Sequence, residues 1–206
     1  TQAALLEAMQ EKEVSVAGKT MKLDLPFFVL ATQNPIEQEG TYNLPEAQLD
    51  RFMFNIILDY PSAAEEKKIV TLTTGYNTAI INQIINKEKI IAYQDVIRKI
   101  PVAENVISYA VDLVGKTRNN KPTAADPVKK FIAYGAGPRA SQYLVLGAKT
   151  HALMNGKLSP DIEDIQAIAK MVLRHRLVKK PAHLELKSRQ HSPLHIMPSR
   201  FDAGGL

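Results

Sequence analysis

The chain has 206 residues, 45% of them hydrophobic, which is enough to fill a core and argues against global disorder. It contains no Cys, which excludes disulfides, a thiol nucleophile and thiolate zinc sites, and fits a reducing, cytoplasmic compartment. The net charge of +5 sits mostly at one end: residues 179–206 hold five cations against two carboxylates, so the remainder carries little basic surface for nucleic acid.

The opening TQAALLEAMQEK reads as helix, with Leu5, Leu6 and Met9 on one side. A chain that opens inside a helix is expected to be a fragment. No apolar run is long enough to span a bilayer. Next, EVSVAGKTMKL alternates apolar and polar residues. With Gly18-Lys19 as a two-residue turn it predicts a hairpin in which Val16 faces Met21 and Val14 faces Leu23. PFFVLAT is a continuous apolar run and predicts a fully buried strand; MFNIILDYP predicts a second, closed by Pro61. From Ser62 the period changes to that of helices. Ser62 and Glu65 form a capping box at the start of the first. NKEKIIAYQDVIRKI and AENVISYAVDLVGKTR are further amphipathic helices, and DPVKKFIAYGAGP is less regular. A long helix begins at Pro138, and the last has Ser159 as N-cap with Pro160 following. After Val178 the pattern collapses, and residues 179–206 read as a tail without a packed core.

Gly18-Lys19-Thr20 matches the end of a phosphate-binding loop, G-x-x-x-x-G-K-[ST]. Its leading glycine would fall on Glu13, and the loop should join a strand to a helix, so the hairpin turn is the better reading. Asn34-Pro35 ends the first apolar strand, as an ordinary turn would. Arg51 lies at the end of a short segment, Pro45 to Phe52, where a cation meets the negative end of a helix dipole. Arg139 is harder to explain locally. It follows GAGP in the first turn of a helix, where the dipole opposes a cation by roughly 0.3–1 kcal/mol. Free backbone N–H groups at that end favour an anion, and Gly135 and Gly137 would allow a close approach to one. The local alternative is an ion pair from Arg139 to Glu163 or Asp164.

Taken together, TQAALLEAMQE, FFVLATQNPIEQEGTYNLPEAQLDRF, GPRAS and VLRHRL resemble the MoxR branch of the AAA+ ATPases, over about Thr1 to Val178. The resemblance implies an α/β fold. Residues 1–60 would be the second half of a three-layer αβα core with a hairpin inserted before sensor 1, and residues 61–178 a helical lid. It implies that Asn34 is sensor 1, orienting the water that attacks the γ-phosphate. Arg51 resembles the arginine finger and Arg139 resembles sensor 2. The cofactors implied are ATP and Mg2+, both held mainly by residues that precede Thr1 in the family, so the fragment alone is expected to be inactive. The partners implied are copies of itself, in a ring most often of six, and client proteins, often with a von Willebrand A-type domain. Two other readings stand beside it: a nucleic-acid-binding helical module using LRHR at residues 173–176, and a non-enzymatic scaffold.

Overall fold

The computed structural model describes residues 2–16, 18–33, 44–76 and 82–181. Helix α1 (Gln2–Glu11) ends on Lys12, whose φ of +57° turns the chain out of the helix. The amide of Leu23 then donates to Lys12 O at 2.8 Å, which lays the following hairpin against the helix end. Strands β1 (Glu13–Val16) and β2 (Lys19–Lys22) pair antiparallel, so the Gly-Lys-Thr run belongs to a hairpin. Its register differs from the expected one. Val14 faces Met21 and Val16 faces Lys19, so Lys19 belongs to the ladder and not to the turn, where Gly18 remains. Gly18 takes φ +77°, a conformation that favours the residue without a Cβ. The slip is two residues, so Val14, Val16 and Met21 still share one face.

The two expected buried strands are not strands. Residues 23–33 and 54–60 run without ladder pairing, and their apolar side chains are open: Leu30 is 88% exposed and Leu58 89%. A strand needs a neighbour to bond, and among the described residues none flanks either segment. Between them, helix α2 (Glu46–Leu49) supplies one short turn.

The helical part follows its sequence signals more closely. Helix α3 (Ala63–Thr74) carries the predicted Ser62–Glu65 capping box but buries none of its residues. Helix α4 (Lys87–Lys99) starts from Asn86, whose side chain accepts from the Lys89 amide. Helices α5 (Glu104–Lys116), α7 (Pro138–Met154) and α8 (Ile162–Leu173) build the core. Val106, Ala110 and Val114 of α5 meet Ala140, Leu144 and Ala148 of α7, and Ile165, Ile168 and Val172 of α8 close the third side. Small residues on α7 let α8 approach closely: a Cβ at Gly147 would come within 2.5 Å of Ile168 Cδ1.

Helix α8 starts two residues later than expected. Its N-cap is Asp161, boxed with Asp164, while Ser159 Oγ donates to Pro101 O at 3.1 Å. Asp164 is fully buried, and burial opposes its ionisation. The Asp161 amide, His151 and Lys157 outweigh that and hold its carboxyl below the usual range.

Helix α6 (Asp126–Phe131) leads into strand β3 (Ile132–Tyr134), which pairs with β4 (Val178–Lys179), and Lys180 N donates to Phe131 O. The packed structure therefore runs a little past Val178, while residues 182–206 of the expected tail lie outside the described residues. Among the described residues no helix is long and apolar enough to cross a membrane.

Candidate functional site

Asn34 lies outside the described residues, within 34–43. Arg51 and Arg139 are both described, and the fold brings their surroundings together. The pivot is Asp50. Its Oδ2 lies 3.3 Å from Arg139 Nη1, and its Oδ1 accepts from Arg176 Nε at 2.8 Å. Arg139 therefore pairs with neither Glu163 nor Asp164; Asp164 is already engaged by His151 and Lys157.

Arg139 stands in the first turn of α7, which carries no acidic residue there. The approach to α7 is fixed by the segment 117–119. Thr117 Oγ1 accepts from Ala136 N at 3.0 Å, Arg118 Nε donates to Ala136 O at 3.1 Å, and Asn119 Nδ2 donates to Ile132 O and Ala133 O. Gly135 is needed for this contact rather than for a ligand: a Cβ there would lie 2.3 Å from Thr117 O. Beside the start of α7 lies an open groove of about 750 Å3, bounded by Arg118, Asn119, Tyr134, Pro138 and Lys180. Arg118 and Lys180 are its charged lining residues, and both are cations. Lys180 Nζ and Arg118 Nε already donate to the Lys129 and Ala136 carbonyls, so the partly exposed Arg139, which does not line the groove, is the donor suited to phosphate oxygens rather than to a metal ion. Among the described residues no group of three His, Asp or Glu side chains could hold a metal.

Arg51 is held from two sides. Its Nη1 donates to Leu6 O on α1 at 3.0 Å, and its own carbonyl accepts from Tyr143 Oη of α7 at 3.1 Å. Arg176 sits in a 3-10 turn, Arg174–Arg176, directly after α8, with its side chain 1% exposed. It donates to Asp50 O at 2.8 Å, Phe52 O at 2.6 Å, Met53 O at 3.3 Å and Val172 O, and its guanidinium lies 5.2 Å from the Tyr143 ring centroid. Burial pulls its pKa below the usual arginine value, and Asp50 opposes that. His175 Nε2 lies 3.0 Å from Phe52 O. Burial lowers the His175 pKa, and its Nδ1 is buried without a partner among the described residues. The neutral tautomer with the proton on Nε2 satisfies both facts.

Sequence reasoning missed Arg176, Tyr143 and His175. A signal for Arg176 was present. Residues 165, 168 and 172 form the buried stripe of α8, and position 176 continues it by four. An arginine on such a stripe requires a carboxylate and carbonyl acceptors, since charged groups are rarely fully buried unless paired. The same burial counts against LRHR as a nucleic-acid-reading surface, because its last cation is spent inside the fold.

Residues 1–54 match the ATPase family associated with various cellular activities (AAA), and residues 125–194 match the AAA lid domain, past the Val178 limit expected from the sequence. Chaperone MoxR1 of Mycobacterium tuberculosis is 41% identical over 177 residues, covering 86% of this chain and 47% of that protein. Protein YeaC of Bacillus subtilis is 40% identical over 182 residues, covering 88% and 54%. A Cytophaga hutchinsonii protein solved by crystallography and designated an ATPase superposes with a TM-score of 0.83 at 38% identity, covering 92% of this chain and 58% of that one. The chain thus spans about half the length of the curated relatives it matches. With the AAA and lid matches in the same order as the sequence motifs, the chain belongs to the MoxR family of AAA+ ATPases.

Proposed function

We propose that this chain supplies the sensing and finger elements of an ATPase that couples ATP binding and hydrolysis to chaperone-like remodelling or assembly of other proteins. The observation that carries the reading is a shared carboxylate. Asp50, next to Arg51, binds Arg139 from 89 positions away in sequence. Two cations that the fold could have kept apart are joined through one turn.

In this reading Arg51 is the arginine finger. Its fixed charge offsets charge developing on the transferred phosphoryl group of a neighbouring subunit's nucleotide, in a ring most often of six. Arg139 binds the nucleotide as sensor 2 and links it to the lid. Its present contact with Asp50 is one N–O approach on a partly exposed side chain, worth about 0–1 kcal/mol, so a phosphate displaces it at small cost. Asn34 orients the attacking water, which an amide does by donating and accepting at once. Mg2+, when bound, neutralises phosphate charge; it and the β/γ-phosphates are held by residues of the protein other than these. The chain alone is therefore inactive. Client proteins include those with von Willebrand A-type domains.

The test is Arg51→Ala in the intact protein. Turnover falls by about 10³-fold or more, while nucleotide affinity stays close to normal, because the finger acts on the transition state. Wild-type turnover in that variant would overturn the reading and favour a scaffold.

A further inference from the structure

We propose that Arg176, assisted by Tyr143, is a positioning residue that aims Arg51 from the lid; this rests on the finger reading of Arg51 given above. Four consecutive carbonyls, those of residues 50 to 53, each accept a donor from the lid. Arg176 supplies Asp50 O, Phe52 O and Met53 O, and Tyr143 supplies Arg51 O. The Asp50 carboxylate is fixed by the same guanidinium. With the peptide planes on both sides of Arg51 held in this way, the direction of its Cα–Cβ bond is set by the lid. Its side chain keeps one hydrogen bond to α1, from Nη1 to Leu6 O.

The geometry requires arginine. A planar fork reaches several carbonyls and one carboxylate at once, whereas a lysine ammonium is a compact point donor that cannot span them. Arg176 also donates to Val172 O, the carbonyl four residues back in the last turn of α8. One guanidinium thus closes the end of α8 and the end of α2 together, and a change in the position of α8 is passed to the turn that carries Arg51. A purely structural staple would share these contacts. The difference is that a positioning residue acts on hydrolysis only through Arg51.

The experiment is a double-mutant cycle in the intact protein, with kcat, ATP affinity and thermal midpoint measured for Arg176→Lys, Tyr143→Phe, Arg51→Ala and the two combinations. Arg176→Lys should lower kcat by about ten- to a hundred-fold with ATP affinity within about twofold, as expected for a small misplacement of a reacting group. Tyr143→Phe should lower it less. In the Arg51→Ala background both losses should vanish. If either variant lowers the residual rate of Arg51→Ala by the same factor as in wild type, Arg176 and Tyr143 are structural and the proposal fails. If kcat is unchanged by both single variants, it fails as well. Should Arg176→Lys not fold, the Tyr143→Phe cycle decides by the same criterion. Full activity in Arg51→Ala alone is a different result, which removes the finger reading and this proposal with it.

Discussion

Asp50→Ala is the sharpest probe of the junction between Arg51 and the lid. It deletes the only carboxylate that Arg176 contacts among the described residues and leaves a guanidinium 1% exposed. Removing one partner of a buried ion pair costs about 3–5 kcal/mol. Two observations lower that figure. The Asp50 side chain is itself 26% exposed, and Arg176 keeps backbone acceptors at residues 50, 52, 53 and 172. The loss of the Arg139 contact adds little, since that pair is partly solvated. A cost of about 2–3 kcal/mol follows, or roughly 5–10 °C in the thermal midpoint of a chain this size. Asp50→Asn keeps an acceptor for Arg176 Nε and should cost about 1 kcal/mol. The assay is urea unfolding followed by helical circular dichroism, with both variants compared in one buffer at two salt concentrations. Salt should change the Asp50→Ala deficit little, because the Arg176 side chain is shielded from solvent. A neutral Asp50→Ala would refute the reasoning, since it would mean that carbonyls alone satisfy the buried guanidinium.

Two further outcomes test the surroundings of this junction. The folded state lowers the His175 pKa below its unfolded value near 6.5, so the unfolded chain binds the extra proton first as pH falls. Stability should therefore rise with pH up to about 6.5 and level off above it; in His175→Gln that dependence should flatten, as read by thermal midpoints across pH 5–8. Gly135→Ala forces a Cβ against the Thr117 carbonyl, 2.3 Å away in the present backbone, and neither side is a flexible side-chain end. A loss of about 1–3 kcal/mol is expected, with the Thr117–Ala136 contact weakened, and amide exchange at Ala136 would report it.

Elements with local signals were legible in the sequence. The Ser62–Glu65 box, Pro138 at the first position of α7 and the amphipathic period of α5 and α8 all depend on residues within a few positions of one another. The two apolar runs at 27–31 and 54–58 failed as strands because strand identity depends on a neighbour, and the described residues contain none beside them. The hairpin failed only in register, because alternation is unchanged by a slip of two and a glycine fits either place in the turn. The start of α8 was misassigned because Ser159 and Asp161 are both good caps, and only the Asp164 partner decides between them. Arg51 and Arg139 stand out in the sequence as candidates, but the Asp50–Arg139 pair was not legible, since an ion pair across 89 residues leaves no periodic trace. Arg176 looked like one more surface cation within a basic run, whereas its register on α8 marks it as interior.

Connectivity would draw a border near residue 60, where the apolar run gives way to α3. The hydrogen bonds draw it elsewhere. Residues 50 to 53, and Asn55 through its own amide and carbonyl, are tied to α7, α8 and the turn after α8. Mechanically that stretch travels with the helices, so among the described residues the compliant seam is crossed by the bond from the Arg51 side chain to Leu6 O and by the exposed Lys87–Asp24 ion pair at 3.9 Å. A rotation of the helical body would shear the Arg51–Leu6 bond and swing the guanidinium tip on a lever as long as its own side chain.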